Sequence, residues 1–366
     1  MMKKLKIAML GHKRIPGREG GIEVVVEELS TLMAQKGYDV TVYNRHKKGC
    51  ECPKEFKGVK LIDVPTIERK STDAAVYSFL ASIRILFGKY DVIHYHAIGP
   101  SAFLFIPHIF KKKTVVTVHG LNYKTPKWKG FASKFIQFGE RITAKYADEI
   151  IVLSKEQKKY FKRKYGRDTI YIPNGTVIEK IEEPELIKDK FGLDRDNYLL
   201  FVSRVVPGKG LEYLIDAYKD VPGDMPLIIA GGTEYVKEYR NEIIKRADSD
   251  SRIRFVGHVE GKVLRELYSN AKLFIFPSEA EGMPMCLLEA LSYNCPCLVS
   301  DIPENVEVGK EYVLNFKSKN TEDLRDKIAD YLDGFLSIKK DSREYIKQYY
   351  SWDKVVEETL ESYEKL

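Results

Sequence analysis

No stretch of this 366-residue chain reaches the ~18 to 20 consecutive apolar residues that a bilayer-spanning helix requires. The most apolar segment, 101–110, is short and broken by Pro107. No secretory leader is expected either. Lys3 and Lys4 precede only the apolar residues 7–10 before a glycine, which reads as a first strand. Cysteine is scarce, five in all, and no pair has C-x-x-C spacing. Free thiols in a reducing compartment are therefore expected. A four-thiolate site from Cys50, Cys52, Cys295 and Cys297 would need distant halves of the chain to meet. Gly11 and Gly17 miss the G-x-G-x-x-G spacing of a dinucleotide loop, and no acidic ribose partner follows, so a nicotinamide-dependent oxidoreductase is disfavoured.

What is present is an ordinary globular composition, 44% hydrophobic and 31% charged, with an uneven distribution of charge. Residues 1–175 carry 33 Lys and Arg against 16 Asp and Glu; the remainder carries 27 against 37. A basic half joined to an acidic half points to an anionic surface met by the first half. Lys127, Trp128, Lys129 and Phe131 interleave aromatics with cations, a mixture suited to a membrane interface as well as to stacked bases.

Short β-branched runs alternate with helical-period segments throughout. Strands are expected at 5–10, 40–44, 59–64, 92–96, 114–119, 149–154 and 169–173, then at 198–203, 226–230, 253–256, 273–277 and 296–300. Helices are expected at 23–36, 211–219, 285–292, 321–332, 342–350 and 352–366. Such alternation implies an α/β chain with doubly wound parallel sheets. The turn signal at Pro173, Asn174 and Gly175 divides it into domains 1–175 and 176–340, with 341–366 as closing helices.

The chemistry concentrates at Glu281 and Glu289. The first follows a buried-looking strand and the second lies in the opening turns of the next helix. Ligands of open parallel sheets bind at that end of the strands, and the free amides of a helix start attract anions. Arg204 and Lys209 flank another strand-to-helix loop and could hold a diphosphate. Carboxylates beside an anion site suit a ligand with hydroxyls and phosphates, such as a nucleotide-sugar.

These residues, with Gly20-Gly21-Ile22-Glu23, Val118-His119-Gly120, Pro173-Asn174-Gly175, Ser203-Arg204, Lys209-Gly210 and Ala230-Gly231-Gly232, resemble the retaining glycosyltransferases of family 4 in order and spacing. The resemblance covers essentially the whole chain. It implies the GT-B fold, two Rossmann-like domains facing a central cleft, with acceptor on the first and nucleotide-sugar on the second. It also implies residue roles. Arg204 and Lys209 would neutralise the leaving diphosphate, and Glu281 would bond sugar hydroxyls beside Gly282, Met283, Pro284 and Met285. Glu289 would accept from the ribose, and His258 and Val259 would serve the base. Gly20, Gly21, Gly231 and Gly232 would let backbone approach the donor closely, and His119 would approach the transferred sugar. The last helix would pack back on the first domain. A phosphate oxygen of the donor would take the acceptor's proton. Asn294 replaces the family's usual glycine and is expected at positive φ. Asp301, Pro303 and Asn305 replace a glycine-rich sugar contact, and Val177 stands where an acidic residue is common.

Two rivals share the fold class or the carboxylates: a glycoside hydrolase built on Glu281 and Glu289, and a non-catalytic binder using the basic half. The reading adopted is a cytoplasmic hexosyltransferase resting on the inner face of the membrane. Its donor would be UDP- or GDP-linked, and its acceptor a lipid-linked or oligosaccharide substrate of polysaccharide synthesis. No Asp-x-Asp metal motif is read in the sequence, so no metal, no other cofactor and no nucleic-acid partner are expected.

Overall fold

The computed structural model describes residues 4–17, 20–49, 52–67, 72–121, 130–178, 180–232 and 237–366. The chain forms two compact units, Met1–Gly175 with Trp352–Leu366, and Thr176–Ser351.

Unit 1 contains the strands β1 (Lys6–Leu10), β2 (Asp39–Arg45), β3 (Glu55–Phe56), β4 (Val59–Val64), β5 (Val92–His96), β6 (Lys113–Val118), β7 (Glu149–Val152) and β8 (Ile170–Tyr171). They form one sheet in the order β3-β4-β2-β1-β5-β6-β7-β8, parallel except for the short edge pair β3–β4. Its helices are α1 (Gly21–Gln35), α2 (Asp73–Arg84), α3 (Phe105–Ile109), α4 (Gly130–Tyr146) and α5 (Lys155–Tyr165), together with a terminal helix described below. Residues 7–10 and 92–96 are fully buried, as expected of parallel strands covered by helices on both faces.

Unit 2 contains α6 (Leu186–Phe191), β9 (Leu199–Val202), α7 (Leu211–Lys219), β10 (Leu227–Ala230), α8 (Lys237–Ala247), β11 (Ile253–Gly257), α9 (Gly261–Asn270) and β12 (Leu273–Phe276). These are followed by α10 (Met285–Ser292), β13 (Cys297–Ser300), α11 (Pro303–Gly309), β14 (Leu314–Phe316), α12 (Thr321–Leu332) and α13 (Arg343–Tyr350). The sheet order β11-β10-β9-β12-β13-β14, all parallel, is the doubly wound Rossmann order. Leu199, Phe201, Leu273 and Ile275 point into one helix layer, and Leu200, Phe274 and Phe276 are buried on the other face.

The terminal helix α14 (Trp352–Glu364) belongs to unit 1 and packs on α1. Trp352 lies so close to Gly175 that a Cβ there would stand 2.6 Å from its ring. Of residues 341–366, then, only α14 joins the first unit. The helix α13 stays with unit 2, anchored where Ser342 Oγ donates to the Leu291 carbonyl at 2.7 Å and the Ser342 amide donates to Asn294 Oδ1 at 3.0 Å. Asn294 has φ of 55°, the left-handed turn expected of it.

Candidate functional site

In each unit the strand order reverses beside the first strand, between β1 and β5 and between β9 and β12. Loops leaving the carboxyl ends of such strands diverge to opposite faces and leave a crevice between them. In unit 2 these are the loops carrying Arg204 and Lys209, after β9, and Glu281, after β12. They touch. Gly210 has φ of 69°, and a Cβ on it would stand 2.0 Å from the Pro277 carbonyl oxygen. The Glu279 amide donates to the Gly208 carbonyl at 3.0 Å.

This contact places Lys209 Nζ in an ion pair with Glu281 Oε1, which also accepts from Ser278 Oγ at 2.6 Å. Lys209 and Glu281 keep only 17% and 10% of their side-chain surface exposed. The lysine also lies 5.7 Å from the centre of the Phe276 ring, which limits its freedom further. The Ser278 carbonyl accepts from Ser300 Oγ at 2.5 Å, and Asn305 Nδ2 donates to Ser300 Oγ at 2.9 Å. Asn305, at the departure from the family pattern, thus braces the Glu281 loop from below. Arg204 is exposed and makes no ion pair among the described residues. One held cation and one unengaged cation flank a glycine loop, an arrangement that can take up phosphate charge.

The remaining expected donor residues surround this loop. A Cβ on Gly231 would come within 1.8 Å of the Ser203 carbonyl oxygen, so only glycine fits there. Gly232 lies against His258, and Val259 follows in the same loop after β11. Met283 and Pro284 are buried at the start of α10, with Gly282 half-buried before them. The Met285 amide donates to the Met283 carbonyl at 3.0 Å, so it is not an open anion donor as the sequence suggested. Glu289 is half-buried on α10 and accepts from the Tyr268 hydroxyl at 3.1 Å. Burial and the neighbouring Glu289 keep the Tyr268 hydroxyl protonated. Asp-x-Asp segments do occur, at Asp194–Asp196 and Asp248–Asp250, and neither reaches this loop cluster. Both lie before strands, at the amino ends of β9 and β11, where Lys188 pairs with Asp194 at 2.8 Å and Arg252 with Asp250 at 2.7 Å.

In unit 1, Gly20 precedes α1 in extended backbone and Gly21 opens the helix. Lys127, Trp128 and Lys129 lie outside the described residues, as does the side chain of Phe131. His119 is half-buried after β6 and shares a hydrogen bond with His96, Nε2 to Nδ1 at 3.1 Å. His96 packs against His94 with ring centres 4.1 Å apart. His94 is clamped between Thr117 Oγ1 at 2.7 Å and the Tyr363 hydroxyl of α14 at 2.6 Å. His12, after β1, bonds Asn44 Oδ1 at 3.0 Å. Burial drives all four rings toward the neutral form, His12 to about 4, His94 and His119 to about 3, and His96 well below its ordinary value. The sequence reading gave His94 and His96 no chemistry. Their signal was positional: two histidines two residues apart share a strand face, next to a strand that ends in a third.

Two family models tile the chain. Glycosyltransferase Family 4 matches residues 19–180 and Glycosyl transferases group 1 matches residues 183–351. The chain is 25% identical over 384 residues to the UDP-Gal:alpha-D-GlcNAc-diphosphoundecaprenol alpha-1,3-galactosyltransferase of Escherichia coli, covering 92% of this chain and 95% of that one. Sucrose-phosphate synthase from Thermosynechococcus elongatus superposes with a TM-score of 0.84 at 19% identity, over 99% of both chains. Anabaena HepE in complex with UDP and glucose does so with a TM-score of 0.82 at 17% identity, over 99% of this chain and 100% of that one. The fold is GT-B. With one family model on each half, this chain belongs to the family 4, group 1 glycosyltransferases.

Proposed function

We propose that this glycosyltransferase takes a hexosyl-type sugar from a UDP- or GDP-linked donor and passes it, with retention, to a hydroxyl of a lipid-linked saccharide. The product would be part of a cell-surface polysaccharide. The observation that carries the proposal is the Lys209–Glu281–Ser278 cluster beside the unengaged Arg204, held at the crevice of unit 2 by glycines that admit no side chain. The E. coli relative, named for transfer to a diphosphoundecaprenol-linked sugar, supports the acceptor class. The HepE complex supports a nucleoside diphosphate as the donor's leaving portion.

In the reaction, the bond from the anomeric carbon to the diphosphate oxygen breaks. A bond to the acceptor oxygen forms on the same face of the sugar, and the acceptor's proton passes to the departing diphosphate. Negative charge grows on that diphosphate. Lys209 and Arg204 would meet it with fixed positive charge, stabilisation that costs little reorganisation at the moment of transfer. Glu281 would accept from sugar hydroxyls and Glu289 from the ribose, while His258 and Val259 would border the base. With this cationic pair in place the transfer needs no divalent metal.

A thermal-shift panel of UDP, GDP, ADP, dTDP and NAD, with and without EDTA, tests the proposal. A ligand at 100 times its dissociation constant adds roughly 2.7 kcal/mol of stability. A shift with UDP or GDP that EDTA leaves unchanged is the expected result. A shift with NAD alone, or none with any diphosphate, would overturn the donor site.

A further inference from the structure

We propose that His96 is a positioning residue that fixes His119 as an imidazole with its proton on Nδ1, so that His119 meets a sugar oxygen as a hydrogen-bond donor and not as a base. The inference rests on the expectation, implied by the family resemblance, that His119 approaches the transferred sugar.

His96 is fully buried. Its Nδ1 is 3.1 Å from His119 Nε2, and its Nε2 has no partner among the described residues. A neutral imidazole carries one proton. On Nε2 that proton would make a buried N–H without an acceptor, which folded proteins almost never leave. A bare buried lone pair is tolerated more often. The proton of His96 is therefore on Nδ1, and it donates to His119 Nε2. That nitrogen of His119 must then offer a lone pair, which leaves the proton of His119 on Nδ1.

His12, in the same cluster, shows the same preference independently. Asn44 Oδ1 accepts from the Ile15 amide at 3.0 Å, and Asn44 Nδ2 donates to the Ile15 carbonyl at 2.7 Å. The orientation of the amide is thereby fixed, so His12 Nε2 is the donor to Oδ1. The nitrogen left bare, His12 Nδ1, is again a lone pair. His94 completes the device. Clamped by Thr117 and Tyr363, its ring packs against that of His96 with centres 4.1 Å apart.

The test is nitrogen NMR of the full chain labelled in its histidines, with His119 assigned by loss of its signals in His119→Gln. Ring-nitrogen shifts report which nitrogen carries the proton, and they are read without substrate. Wild type should show His119 protonated on Nδ1. His96→Asn, whose Nδ2–H stands where Nδ1–H stood, should preserve that state and most of kcat. His96→Asp puts an acceptor there, so a proton should appear on His119 Nε2, with kcat down about tenfold and the donor KM little changed. Wild-type His119 protonated on Nε2 would overturn the proposal, as would an Asp variant with the wild-type spectrum. Should the Asp variant fail to fold, the wild-type spectrum decides. Failure of the underlying site reading looks different: His119→Gln would turn over like wild type while the tautomer stood as proposed.

Discussion

Lys209 is held on three sides, by Glu281, by the Phe276 ring and by the short loop between Val206 and Gly210. A lysine so restrained brings its charge to one point without further ordering. Lys209→Ala should therefore lower turnover by roughly 10²-fold while leaving the circular-dichroism spectrum unchanged. Single-turnover kinetics with saturating donor is the measurement, and a rate within threefold of wild type would remove Lys209 from the mechanism. At this scale the sequence exposed residue types and loop positions but not pairings. Glu281 and Lys209 could both be placed at strand ends, yet their ion pair depends on β9 and β12 being neighbours. The bond of the Met285 amide to the Met283 carbonyl was invisible for a similar reason, since it depends on the backbone path through Met283 and Pro284.

Elements long enough to repeat their pattern were legible to the residue. The helices α7, α10 and α12 start and stop where apolar spacing and flanking turns put them. Short edge strands were not: β3, of two residues, and β14, of three, have no room for a period, and β8 is shorter than its apolar run. The histidine chain is likewise a property of assembled elements, joining β1, β5, the end of β6 and α14. It makes the stability of unit 1 depend on pH. His12, His94 and His119 bind protons only near pH 4, 3 and 3 when folded, against 6.5 when unfolded. The unfolded chain thus binds more protons below 6.5. The stability these rings contribute is complete above that pH and is lost as pH falls toward 4, at about 1.4 kcal/mol per pH unit for each ring. Urea-unfolding midpoints measured at pH 7.5 and pH 5.5 should fall with acid; equal midpoints would mean that the rings are not buried neutral.

Across the whole molecule the dominant feature is the separation of charge, and the structure shows where part of the basic surplus gathers. Lys155, Lys158, Lys159, Lys162, Arg163 and Arg167 line a cavity of about 470 Å³ on and beside α5, with Asp168 and Thr169. Among the described residues no helix is long and apolar enough to cross a membrane. We propose that this face rests on anionic lipid. Each cation near such a surface contributes about 1 kcal/mol, screened by salt. The protein should sediment with phosphatidylserine-containing vesicles at about 50 mM salt and be released at about 500 mM. The double substitution Lys158→Glu and Lys162→Glu should weaken that binding. Sedimentation unaffected by salt and by charge reversal would refute the assignment.

The return of α14 to unit 1 has a consequence for synthesis. Unit 2 is contiguous, so all of its strands and helices can associate once the ribosome has released Ser351. Unit 1 is not. Its Gly175 lacks the Trp352 ring, and its His94 lacks the Tyr363 hydroxyl, until residues 352–366 emerge after unit 2. At ~5 to 20 residues per second the earlier-made half waits on the order of ten to forty seconds for its final helix. The second unit in the sequence is thus the first that can be completed, and the first unit is the last.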